Sequence, residues 1–145
     1  MKRGAYMGFN QKSWIENYVN SLSPLKITQL KVDEEIKNII KLINELFNNQ
    51  DINKHVEFIQ GENTLIFPGR KSNLFIRYMV DDQNNELKIV RHKKPELSSG
   101  IEKTVLINCK LEEYVVKDEP SITMDEMSFD SLKDAINCAF SRILN

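Results

Sequence analysis

The sequence predicts an α+β fold: an antiparallel sheet of about five strands (residues ~54–117) covered by two N-terminal helices and one C-terminal helix. Three observations lead there. Residues 72–91 alternate in polarity on either side of Asp81-Asp82-Gln83-Asn84-Asn85, the pattern of a β-hairpin around a turn. Residues 36–47 and 129–143 carry apolar side chains at helical spacing. These helical runs flank a block of short alternating runs, so the layers are helices against one sheet.

Residues 1–10 read as a flexible N-terminal tail and residues 11–145 as a single α+β domain. Residues 11–22 fit a short amphipathic helix with Trp14, Ile15, Tyr18, Val19 and Leu22 on one side. Ser23-Pro24 ends it, because a residue before proline is driven out of helical geometry. Residues 25–32 hold two apolar pairs out of phase and read as a linker lying on the core. Asp33 then suits the cap of the longest helix, whose stripe is Ile36, Ile39, Ile40, Ile43, Leu46 and Phe47.

Strands are expected at residues 55–59, 64–67, 73–80, 86–91 and 102–110, with weaker patterns at 113–116 and 121–124. In the hairpin, Leu74, Ile76, Tyr78 and Val80 point one way and Phe75, Arg77 and Met79 the other. Val105, Ile107, Cys109 and Leu111 share a face. Gly61-Glu62-Asn63, Pro68-Gly69 and Asp118-Glu119-Pro120 punctuate the runs. The closing helix takes Ser128 as its cap. Its stripe is Phe129, Leu132, Ala135, Ile136, Ala139, Phe140 and Ile143, with Cys138 opposite.

Counting the two weaker strands gives seven strands and a closing helix. In that element order the chain resembles a pleckstrin-homology domain, which implies a small barrel closed by the C-terminal helix. Gly61-Glu62-Asn63 stands where phosphoinositide-binding members carry a basic pair, so the resemblance does not extend to that ligand.

A chain of 145 residues with 41% hydrophobic and 28% charged residues can bury a core without staples. A net charge of −1 argues against nucleic-acid binding, which needs a strong positive field. Cys109 and Cys138 are expected as reduced thiols of a cytosolic protein. The basic start lacks an apolar run behind it, so no signal peptide is expected. No window reads as a membrane span.

Motifs for chemistry are sparse. The two histidines, His55 and His92, fall in no metal-ligand spacing, and no glycine string cradles a phosphate, so neither metal nor cofactor is expected. Glu86-Leu87-Lys88 after Asp81-Asp82 has the residue types of a metal-dependent nuclease, but the acids flank one tight turn instead of separate strand ends. Arg70-Lys71 precedes the hairpin's first strand and Arg91-His92-Lys93-Lys94 closes its second, so antiparallel pairing brings them together. The C-terminal third is acidic, with Glu112, Glu113, Asp118, Glu119, Asp125, Glu126, Asp130 and Asp134.

The reading that follows is a small cytosolic, non-enzymatic accessory protein of the immunity-protein, antitoxin, inhibitor or chaperone kind. Its partner would be another protein with an acidic surface, met by Arg70, Lys71, Arg77, Tyr78, Arg91, His92, Lys93 and Lys94. The alternative is a small enzyme whose acid–base groups assemble only in the fold, with His55, Glu57, Glu62 and His92 as its candidates.

Overall fold

A computed structural model describes residues 10–22, 24–59, 61–93, 100–119 and 126–145. The expected tail lies almost wholly outside them, as does the weak strand at 121–124. The class is α+β, with three helices and one antiparallel sheet among the described residues. The sheet has seven strands in sequence order: β1 (Glu57–Ile59), β2 (Thr64–Phe67), β3 (Leu74–Asp81), β4 (Glu86–His92), β5 (Ile101–Lys110), β6 (Glu113–Glu119) and β7 (Met127–Phe129). Five strands was therefore too few. The alternative's count of seven is right, but its barrel is not, since β1 and β7 lie at opposite edges of an unclosed sheet.

Turn chemistry sets the meander. Asp81 accepts from the Asn84 backbone at 3.2 Å and from the Asn84 side chain at 2.8 Å, which closes the β3–β4 turn. Gly69 sits where a Cβ would collide with the Ser72 carbonyl oxygen. Leu111 and Glu112 both take positive φ, 52° and 63°, in the two-residue turn between β5 and β6. Leu111 is thus an exposed turn residue and not part of the strand face. Neither residue has the small or amide side chain that normally eases such a turn.

One face of the sheet is the core face. Leu65, Ile76, Ile89, Val105, Leu87, Ile107 and Val116 lie on it, joined by cross-strand pairing, and all are fully buried. α3 (Leu132–Leu144) lies over it with Leu132, Ala135, Ile136, Ala139, Phe140 and Ile143 buried. Phe140 meets Phe67 with ring centroids 6.2 Å apart. Each of the larger side chains, Leu132, Ile136, Phe140 and Ile143, contributes about 1.5–3 kcal/mol by leaving water. The helix cap is Ser131, whose side chain accepts from the Asp134 backbone, and not Ser128, which lies in β7.

α2 (Gln29–Asn49) buries Val32, Ile36 and Ile39. It starts ahead of the expected cap, because Thr28 accepts from the Lys31 backbone. Asp33 lies inside the helix and accepts the Tyr78 hydroxyl at 2.7 Å. Leu46, expected in the stripe, is exposed. Asn44 brackets Val56, accepting its N–H at 2.7 Å, and so ties α2 to the entry of β1. The stretch before α2 does lie on the core: Ile27 is buried and its N–H donates to the Asn85 side chain. Asn85 returns a bond to the Leu25 carbonyl.

α1 (Gln11–Ser21) departs from expectation. Asn10 caps it, but none of its residues is buried, so among the described helices the sheet's cover comes from α2 and α3.

Burial, and then the bond to Asp33, hold the Tyr78 hydroxyl proton well above the ordinary tyrosine value of about 10. The folded chain therefore binds this proton more tightly than the unfolded chain. That contribution is complete below about pH 10 and declines as pH rises past it. Tyr78→Phe should cost about 1 kcal/mol at neutral pH and lose stability less steeply between about pH 10 and 11. Urea midpoints at both pH values measure this; equal slopes for the two proteins would contradict it.

Candidate functional site

The predicted basic patch divides between the two faces of the sheet. Tyr78 points to the core face and is fully buried, so it offers a partner no surface. Arg91 also lies on the core face, opposite Ile76 and Lys103. Its Nη1 donates to the Ile143 carbonyl at 2.7 Å and to the Asn145 carbonyl at 3.4 Å. Lys103 Nζ donates to the Arg142 carbonyl at 2.6 Å. Two cations on adjacent strands thus meet the carbonyls at the negative end of α3. Arg91 Nε lies 3.3 Å from Glu102 Oε1, at ion-pair distance but out of line for a hydrogen bond. A register shift between Arg91 and His92 leaves Glu102 as the extra residue beside them.

Arg70 and Lys71 are exposed before β3, and Lys93 is exposed after β4. Phe75 opposite His92 puts these ends of the hairpin together. Lys94 lies outside the described residues. Arg77 and His92 are both on the face that α2 and α3 leave bare, but His92 is buried there, so it offers a partner little surface and Arg77 remains.

That face holds a cleft of about 310 Å³. Arg77 and Met79 of β3, Lys88 and His92 of β4 and Glu119 of β6 line it. Val90 and Thr104, both buried, make its floor. Met79 is 40% exposed and Ile101 63%, giving the rim an apolar character. Lys88 Nζ reaches Glu119 Oε1 on β6 at 3.9 Å, spanning β5 where Leu106 is buried. Both groups are partly exposed, so this pair holds the cleft's shape only weakly. Among the described residues the Arg77 guanidinium has no hydrogen-bond or ion-pair partner. The volume is at the small end for ligand sites and suits one side chain or a short acid.

Of the four groups proposed for acid–base chemistry, only His55 and Glu57 come near each other, lining one cleft. His55 Nε2 is 4.0 Å from Glu57 Oε2, beyond hydrogen-bond reach, and both side chains are mostly in solvent. Glu57 shares a cross-strand row with His92 but stands three strands away, about 14 Å. Glu62 is exposed in the turn before β2. Cys109 is half-buried, and burial pushes its thiol up, opposite to what a nucleophile needs. Cys138, expected away from the apolar stripe, packs against the core. Among the described residues no three His, Cys, Asp or Glu side chains gather to hold a metal ion.

Val90 and Thr104 were not singled out from sequence, while Met79 was placed only on the Arg77 face and Lys88 only in the Glu86-Leu87-Lys88 triplet. Their signal was the pairing across the turn: Asp81 opposite Glu86 reverses the parity, so the odd positions of β3 and the even positions of β4 share this face. Ile101 could not be placed that way, because the register shift beside Arg91 resets the count.

No protein-family model matches the chain, and neither a curated protein nor a solved structure was found similar to it.

The two arginines should separate in their effect on stability. Arg91→Ala strips bonds from the end of α3 and should cost about 2–3 kcal/mol. Arg77→Ala should change stability by less than about 0.5 kcal/mol. Urea unfolding measures both, and comparable losses would contradict the division of roles.

Proposed function

We propose that this is a non-enzymatic protein-binding module whose bare sheet face takes an acidic side chain of a partner protein into the Arg77 cleft. The observation that carries the reading is the setting of Arg77. A half-buried guanidinium, unengaged among the described residues, stands beside Met79, Val90 and Ile101 in a cleft whose one acid, Glu119, is held by Lys88, and there a carboxylate can be met by two parallel N–H bonds. Lys88 adds a second cation, one already shared with Glu119. Met79 and Ile101 supply apolar contact for the rest of the incoming segment. Arg70, Lys71 and Lys93, exposed at the same end of the hairpin, raise the local positive field and steer arrival. This is a protein of the accessory kind, such as an inhibitor, antitoxin, immunity protein or chaperone, and no step of chemistry is assigned to it.

Affinity capture with the full chain tests the reading. Arg77→Ala should weaken the captured partner at least tenfold, equivalent to about 1.4 kcal/mol. Glu119→Gln should strengthen it, because Lys88 is then released to the incoming acid. Binding should fall as salt rises. Unchanged capture by Arg77→Ala, or weaker capture by Glu119→Gln, would contradict it.

A further inference from the structure

α1 carries an apolar stripe whose side chains stand largely in solvent. Trp14, Ile15, Tyr18, Val19 and Leu22 lie along one side of it, between 39% and 65% exposed. A stripe of this spacing is what a helix buries against a neighbour. Eleven residues are also too few for a helix to be stable alone in water, so packing must hold it.

We propose that the occupant of this stripe is the α1 of a second copy of the chain, in an antiparallel two-fold pair. Two features of the helix fit that partner. The first is area. The five side chains leave roughly 500 Å² of apolar surface open, taking large side chains at about 150–250 Å² each. Two such stripes face to face reach the roughly 1,000 Å² at which specific interfaces begin. The second is charge. A two-fold interface sets each surface against itself, so an unbalanced charge would meet its own like. α1 carries only Lys12 and Glu16, one turn apart, and they pair with each other at 3.9 Å. Its remaining polar positions, among them Ser13, Asn17, Asn20 and Ser21, are uncharged. Antiparallel pairing centred on Tyr18 sets Trp14 of one copy against Leu22 of the other, and the two Tyr18 rings meet near the axis. This inference is independent of the Arg77 cleft.

Sedimentation equilibrium of the full chain tests it, with Trp14 emission as a second readout, since Trp14 is the only tryptophan. A reversible dimer with a dissociation constant on the order of 10 µM is expected, and Trp14 emission should move to the red on dilution. Tyr18→Glu should weaken dimerisation at least tenfold without lowering the unfolding midpoint of the sheet, because no α1 residue is buried in it. Val19→Lys should behave the same way. A monomer at every concentration would overturn the proposal. So would a dimer indifferent to both substitutions, or a blue shift of Trp14 that needs phosphatidylcholine–phosphatidylglycerol vesicles, which would make a bilayer the occupant.

Discussion

The structure depends on a single apolar seam, where α2 and α3 lie across one face of the meander. A sheet of seven short strands cannot be independently stable while both faces meet water. Ile76, Ile89, Val105 and Ile107 from the strands and Ala135, Ile136, Ala139 and Ile143 from α3 close that face. The seam is then fastened at points where polar groups would otherwise be orphaned. Asp33 meets Tyr78, Asn44 meets Val56, Asn85 meets the entry to α2, and Arg91 with Lys103 meets the end of α3. Each bond adds little on its own, but each would cost more to leave unmade.

This economy decides which charges remain for other work. A cation on the core face is drawn into holding a helix end, and a cation on the opposite face is not. Arg91 and Arg77 lie on adjacent strands, yet the pleat sends them to opposite sides and to opposite tasks. The acidic C-terminal third is likewise partly consumed. Asp118 pairs with Arg142 and Glu119 with Lys88, so the expected separation of charge along the chain is softened in the fold. What stays open is a small cleft with a cationic wall and an apolar rim.

Much of the fold was legible, because the features that specify it are local. The stripe of α3, the span of β2 and the Asp81–Asn85 turn follow from periodicity and turn chemistry. Boundaries set by one competing cap were not. Thr28 and Ser131 cap helices that Asp33 and Ser128 also suited, and only tertiary position chooses between them. The weak sixth strand is real, because β5 and β7 supply the pairing its short apolar pattern could not prove. α1 was read correctly as amphipathic but wrongly as a cover, since a stripe states that a partner is needed and not which one. The basic patch was legible as composition. Which of its members are spent on α3 depends on register, and register is a long-range property.

Methyl solvent accessibility tests the central partition most directly. A soluble paramagnetic agent should broaden the methyl signals of Met79 and Ile101 strongly and leave those of Ile76, Ile89 and Ile107 sharp. Protection of Met79 together with Ile101, or broadening of the other three, would contradict the assignment of one sheet face to the core and the other to solvent.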